Sequence, residues 1–400
     1  MTNWCELIDR SVDETFSDLV LLRRHLHAHP EPSGSEFETT NYLHQWLHQR
    51  NVVASKVLDG RGLLVDVGSR AAEVRRFALR ADMDALLIED RKTVDYRSTV
   101  ANTMHACGHD VHSTILAGAL LAIQSASSEM DEAASVRGIF QPAEETCVGA
   151  AQMIREANAI DGVAAILACH VDPFRDVGRF GFRAGVMAAG CDELLVTIRG
   201  EGGHAARPHH TRDPITAAAQ FLNAVHVQIP RGTDSLDTVV IGFGSIKGGE
   251  QCNVIPDEVR LRGTLRTLTP ETRAASLAQV KEIAKGVGFV SQTEIEIEIG
   301  ANTPSVINDP NLADLVFSEM EQGWSKDAAQ RMHQPSMGGE DFAYYVQHIP
   351  GFLVRLGSRT PGNETTGLHT PSFDVDEEVI RHGARLMARV AGRWFAKQPK

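Results

Sequence analysis

The sequence predicts an α/β protein with an α+β unit inserted into it. Three observations carry that prediction. Strand and helix patterns alternate through the first 170 or so residues, which implies a mostly parallel sheet flanked by helices. Polar clusters fall where those apolar strands end: Asp82 and Asp84, then Glu144 and Glu145, then His170. From residue 188 to about 301 the order changes to β-α-β-β-α-β, the order of a ferredoxin-like unit.

The elements follow in order. Val12, Phe16, Leu19, Val20, Leu22 and Leu26 recur at helical spacing and predict a helix over 11–29, which His29-Pro30-Glu31-Pro32 ends. A second helix from about Glu36 carries Phe37, Tyr42, Leu43, Trp46 and Leu47. The histidines on these two helices, at 25, 27, 29, 44 and 48, read as surface or packing residues. Short strands are predicted at 52–57, 63–67, 77–80, 136–141 and 164–169, and an apolar helix from Asp110 to about Ala126. In the inserted unit, strands fall at 192–199, 238–245, 259–267 and 293–299. Asp213-Pro214 and Thr269-Pro270 start its two helices, each a capping residue followed by proline at the first helical position. Asp309-Pro310 caps a helix to about Gln322, 352–356 is a strand, and a last helix runs from about Asp376 to Phe395.

Composition bounds the function. The chain has 400 residues, of which 42% are hydrophobic and 23% charged, ample for two domains with true cores. With 39 basic and 52 acidic residues the net charge is −13, which argues against nucleic acid and against a basic membrane-binding face. No stretch is apolar enough to span a membrane, and Met1 to Glu6 do not open a signal peptide. The six cysteines are too scattered for a disulfide scaffold, so a reducing cytoplasm is expected.

The densest chemistry lies in Met104-His105-Ala106-Cys107-Gly108-His109-Asp110-Val111-His112. Cys and His are common metal ligands, and an i, i+2 pair on extended backbone points one way. Gly108 lets the backbone bend towards an ion. This stretch sits on a loop that opens a helix, between strand ends carrying carboxylates. A metal site assembled from these strand exits is the expectation; a loop with one buried cysteine and helix-capping histidines is the bland alternative.

These stretches, with Arg80 to Ala85, Gln141 to Glu145, His170-Val171, Gly202 to Ala206, Asn253 to Asp257, Gly263 to Arg266, Met337 to Phe342 and Leu368 to Pro371, match a known pattern in its own order. The sequence resembles the amidohydrolase branch of the aminoacylase–carboxypeptidase metallopeptidase family, which includes hippurate hydrolases and plant hydrolases of indoleacetyl-amino-acid conjugates. The resemblance implies a di-metal exopeptidase-like catalytic domain over 1–187 and 302–400, and an inserted dimerisation and lid domain over 188–301. It implies that Cys107, His109, Glu145, His170 and His369 bind two divalent ions, manganese or zinc foremost, with cobalt or nickel also admissible. It implies Glu144 as general base, and His204 as a residue that reaches the partner subunit's site in a homodimer. Asn253 and Arg266 would hold the substrate, Arg266 through its carboxylate. Asp82 would orient His109 or its neighbours, and Glu340 would shape the site.

The implied reaction is cleavage of an N-acyl amino acid into acid and amine. A dipeptidase, a carboxypeptidase, a carbamoyl-amide hydrolase, a cysteine hydrolase using Cys107 and a catalytically silent binding protein are the alternatives. The sequence departs from the branch at Leu86-Leu87-Ile88, where Leu-Pro-Ile is common, and over Asp172 to Cys191, where some prolines are missing. Both departures bear on the substrate pocket rather than on the metal site.

Overall fold

The computed structural model describes residues 3–69, 75–130 and 134–397. The chain forms two compact units. The first takes in the described residues up to Met187, Ile307–Gln334, and those from Asp341 on; the second takes in Ala188–Val306 and Pro335–Glu340. In chain order, the strands used below are β1 (Ala54–Val57), β2 (Gly62–Gly68), β3 (Arg76–Asp82), β4 (Ser135–Gln141), β5 (Val163–Asp176), β6 (Phe180–Phe182), β7 (Gly190–Arg199), β8 (Val239–Lys247), β9 (Glu258–Thr267), β10 (Glu294–Thr303), β11 (Ala329–Arg331) and β12 (Gly351–Arg359). The helices are α1 (Asn3–Ala28), α2 (Phe37–His48), α3 (His109–Ala126), α4 (Gly149–Arg155), α5 (Pro214–Gly232), α6 (Pro270–Ser291), α7 (Pro310–Gly323), α8 (Ala343–Val346) and α9 (Glu378–Ala396).

The first unit is built on one sheet in the order β1-β2-β4-β3-β5-β12-β6-β11. Its middle, β4-β3-β5-β12, is parallel, as the alternating pattern predicts. Towards its edges β1 with β2, β2 with β4 and β12 with β6 are antiparallel, so the sheet is mixed. Helix α3 is buried along almost its whole length and packs against α1 and α9. Helix α1 begins eight residues before the predicted start, because Trp4, Cys5 and Ile8 extend the same buried stripe as Val12, Leu19 and Leu22.

Strand β5 is the main departure from the predicted elements. The apparent break at His170 to Pro173 does not end the strand, which runs on to Asp176. Proline lacks an N–H and is tolerated in a sheet at irregularities. Pro173 lies where the pairing of β5 with β12 shifts register, between Gly357 and Arg359. His170 is therefore inside a strand, opposite Arg355, and not at a strand exit.

The second unit is a four-stranded antiparallel sheet in the order β8-β9-β7-β10, with α5 and α6 packed on it. Numbered within the unit, that order is 2-3-1-4, the ferredoxin-like arrangement. Leu194, Val196, Ile198, Phe221, Val225, Leu261 and Val280 form its core. Asp213 accepts hydrogen bonds from Ile215 and Thr216 N–H groups, and Thr269 accepts one from Thr272 N–H, as helix caps. Among the described residues no helix is long and apolar enough to cross a membrane.

Candidate metal centre

The first unit brings Cys107, His109, Glu144, Glu145, His170 and His369 together. Cys107 lies on the loop that leads through Gly108 into α3, and His109 is the first residue of that helix. Gly108 has φ +86°, a left-handed backbone, and a Cβ there would stand 2.6 Å from Val171 Cγ2. This close approach sets the start of α3 against β5. Glu144 and Glu145 sit on the turn between β4 and α4. His369, with φ +59°, is fixed by its N–H, which donates to Ala106 O at 2.8 Å.

The donor atoms converge. Cys107 Sγ is 3.5 Å from His170 Nε2 and 3.4 Å from His369 Nε2. His369 Nε2 is 3.4 Å from Glu145 Oε1, and His109 Nε2 is 3.9 Å from the same oxygen and 4.0 Å from Glu144 Oε2.

Hydrogen bonds fix which imidazole nitrogens face the centre. His170 Nδ1 donates to Val171 O at 2.8 Å, which leaves Nε2 as a lone pair towards Cys107. His109 Nδ1 bonds Asp84 Oδ1 at 3.1 Å, which likewise turns Nε2 inward. His112 is different. Its Nε2 accepts Val171 N–H at 2.9 Å and its Nδ1 donates to Asp82 Oδ1 at 2.6 Å, so neither nitrogen is open to an ion. Asp82 thus bonds His112, and its nearest approach to His109 is 3.8 Å; Asp84 holds His109. In the sequence Asp84 stands with Asp82 at a strand end, with nothing local beyond that i, i+2 spacing to show that it holds His109.

Electrostatics agree. Burial pushes the Cys107 thiol above its ordinary range, and the carboxylates of Glu145 and Glu144 add to the push, although His109 opposes it. Burial, then Arg355 and His112, hold His170 well below the usual imidazole range, so it is neutral. Burial works against a charged Asp82, but His109, His112 and Arg80 outweigh it and keep its carboxyl well below the usual range. Burial likewise opposes a charged Asp84, and the His109 bond and charge prevail.

The residues fit a metal. His109 Nε2 and Glu145 Oε1 are buried without a hydrogen bond of good geometry, and both face the cluster. Burial opposes a charged His109, but Asp82, Cys107 and the Asp84 bond outweigh it and hold the ring well above the usual imidazole range, so a cation would take the place of the proton at Nε2, beside the lone pair of His170, the thiol and the carboxylates.

Other histidines have other roles. His27 lies on α1 and is wholly buried, a packing histidine held between two carboxylates: Nδ1 bonds Asp110 Oδ2 at 2.7 Å and Nε2 stands 3.3 Å from Asp90 Oδ2. Arg23 also bonds Asp110, at 2.9 Å. His204, Asn253 and Arg266 belong to the second unit. His204 pairs with Val254, beside Asn253, whose carbonyl accepts Ala205 N–H at 3.0 Å. Arg266 lies on β9 and donates from Nη1 to Met337 O at 2.7 Å.

The comparisons with known proteins decide the family. The model for peptidase family M20/M25/M40 matches residues 78–393. The chain belongs to this family. It is a metal-dependent amidohydrolase of the M20 type. It is 34% identical over 378 residues to an N-acetylcysteine deacetylase of Bacillus subtilis, covering 93% of this chain and 96% of that one. It is 33% identical over 389 residues to the IAA-amino acid hydrolase ILR1-like 2 of Arabidopsis thaliana, covering 96% and 87%. Among solved structures it matches the Bacillus subtilis YXEP protein, a dinuclear metal binding peptidase from the M20 family, with TM-score 0.83 and 31% identity over 96% of this chain and all of that one.

Proposed function

We propose that this M20 chain hydrolyses the amide bond of N-acyl amino acids or similar small conjugates, with two divalent ions held by Cys107, His109, Glu145, His170 and His369. The observation that carries this reading is the convergence of those five donors beside the buried carboxylate of Glu144. The relatives named for N-acetylcysteine and for IAA-amino acids support the substrate class. Divalent ions bound there supply Lewis acidity, which lowers the pKa of a water and polarises an amide carbonyl. Glu144 takes the water's proton on its carboxylate and returns it to the leaving nitrogen. Cys107 serves as thiolate; because burial favours its neutral form, loading with metal releases a proton.

In the same reading, the unit around 188–301 is an inserted dimerisation and lid domain. Its exposed Ile215, Val240, Ile246 and Val254 support a homodimer. His204 acts across that dimer, steadying the negative charge that develops on the carbonyl oxygen. Asn253 and Arg266 hold the substrate, and the Met337 bond steadies the Arg266 guanidinium for a carboxylate. Zinc or manganese suits the mixed thiolate, imidazole and carboxylate set. A reducing, cytoplasmic setting keeps Cys107 competent.

The test is release of free amino acid from N-acetyl, N-benzoyl and indoleacetyl amino acids and from dipeptides, on metal-free protein reloaded with manganese or zinc. Metal-dependent cleavage of an N-acyl amino acid is the expected result. Cleavage of dipeptides alone would replace the substrate class, and no cleavage with two ions bound would overturn the reading.

A further inference from the structure

We propose that Glu36 and Asp341 are positioning residues for Glu144: two buried carboxylates, from distant parts of the sequence, that grip the turn carrying it. The inference rests on the reading of Glu144 as general base. The turn leaves β4 at Gln141 and enters α4 at Gly149. It is sharply bent. Ala143 and Cys147, on either side of Glu144 and Glu145, take left-handed backbone with φ 55° and 60°. Residues with a side chain stay in that region only where their surroundings over-determine it.

Those surroundings are specific. Glu36 is wholly buried, and its Oε1 accepts the N–H of Ala143 and that of Gly34, both at 2.8 Å. This fixes the bent residue immediately before Glu144. Asp341 fixes both ends of the turn. Its Oδ2 accepts Ala150 N–H at 2.9 Å, and Gln141 Nε2 reaches its two oxygens at 2.9 and 2.8 Å. The backbone N–H of Asp341 donates to Glu144 Oε1 at 3.3 Å, a direct link to the base. Arg80 bonds Asp341 Oδ1 at 2.7 Å and Gln141 Oε1 at 2.9 Å, supplying the positive charge that a buried carboxylate needs. Glu36 and Asp341 act through the turn and not on the substrate. Their effect should fall on how often Glu144 stands in its productive place, a proton-transfer matter, and not on substrate affinity.

The experiment compares Glu36→Ala, Glu36→Gln, Asp341→Asn, Glu144→Gln and the double variant Glu36→Ala/Glu144→Gln, with kcat, KM, bound metal per chain and the melting temperature of the metal-free protein read for each. Glu36→Ala and Asp341→Asn are expected to lower kcat by about 10- to 100-fold, with KM within about 2-fold and two ions retained. Glu36→Gln keeps the acceptor oxygen and should recover most of the rate. In the double variant Glu36→Ala should add no further loss, because what it positions is already gone. Loss through KM or metal content with kcat kept, or an additive loss in the double variant, would overturn the proposal. If Glu36→Ala does not fold, Asp341→Asn carries the kcat-against-KM test. Undiminished turnover in Glu144→Gln would remove the general-base reading itself, whereas an inactive Glu144→Gln beside fully active Glu36→Ala and Asp341→Asn would sink the positioning role alone.

Discussion

His109 and His112 lie one helical turn apart on α3, yet their surroundings give them opposite tasks. His109 has one nitrogen tied to Asp84 and the other open, whereas His112 spends both on Asp82 and Val171. The spacing of Cys107 and His109 was legible in the sequence; which of the neighbouring histidines turns an unbonded nitrogen to the centre was not, because partners 25 to 60 residues away decide it. Replacing Cys107 with Ser removes the one thiolate, and a neutral hydroxyl is a poor substitute. We expect metal affinity to fall by at least about 10- to 100-fold, read by metal titration of the stripped protein. A second residue-level expectation concerns pH. Burial, then Arg385 and Arg381, push His382 down to about 4, and its Nδ1 accepts the Trp324 Nε1–H at 2.9 Å. Below about pH 6.5 the unfolded chain takes up a proton there that the folded chain refuses. This contribution to stability is thus complete above pH 6.5 and is lost as pH falls towards 4. His382→Gln keeps an acceptor for Trp324 without titrating. It should reduce the loss of stability between pH 7 and 5 by roughly 1–2 kcal/mol, measured by denaturant unfolding of the metal-free protein.

At the level of elements, the site depends on how tightly α3 starts against β5. Gly108 meets Val171 side-on in a left-handed conformation, so Gly108→Ala meets both backbone strain and a steric clash. We expect a loss of about 2 kcal/mol or more in stability, together with weaker metal binding, in thermal melts of apo and loaded protein. A melt unchanged from the parent would mean that the loop relaxes freely. The periodicity of α1, α3 and α9 and the proline-marked starts of α5, α6 and α7 were legible because each is encoded locally. The continuation of β5 through Pro173 was not. What permits it is a register shift in β12, nearly two hundred residues further along. The left-handed residues Ala143, Cys147 and His369 were equally hidden, since none is the glycine that usually announces such backbone.

For the whole molecule, ions that bind only the folded state add stability by mass action. Each site contributes about 2.7 kcal/mol when free metal is a hundred times its dissociation constant. Chelation should therefore lower the melting temperature, and added manganese or zinc should restore it; a melt indifferent to both would exclude ligation by the five donors. The proposed homodimer predicts a particle of twice the 43.6 kDa chain mass in sedimentation. The parallel middle of the first sheet and the ferredoxin-like succession of the second unit followed from the patterns along the chain, while the order of strands in the first sheet and the assembly of the centre from loops, a helix start and a strand interior required the fold itself. One carboxylate in that centre has a mechanical consequence. Asp84 bonds His109 through Oδ1 and accepts the N–H of Glu145 through Oδ2 at 3.0 Å. Asp84 tethers an imidazole ring and a backbone amide at once, so a shift of its carboxylate would be transmitted to both. The spacing between the His109 ring and the Glu145 backbone is thus set through one shared anchor.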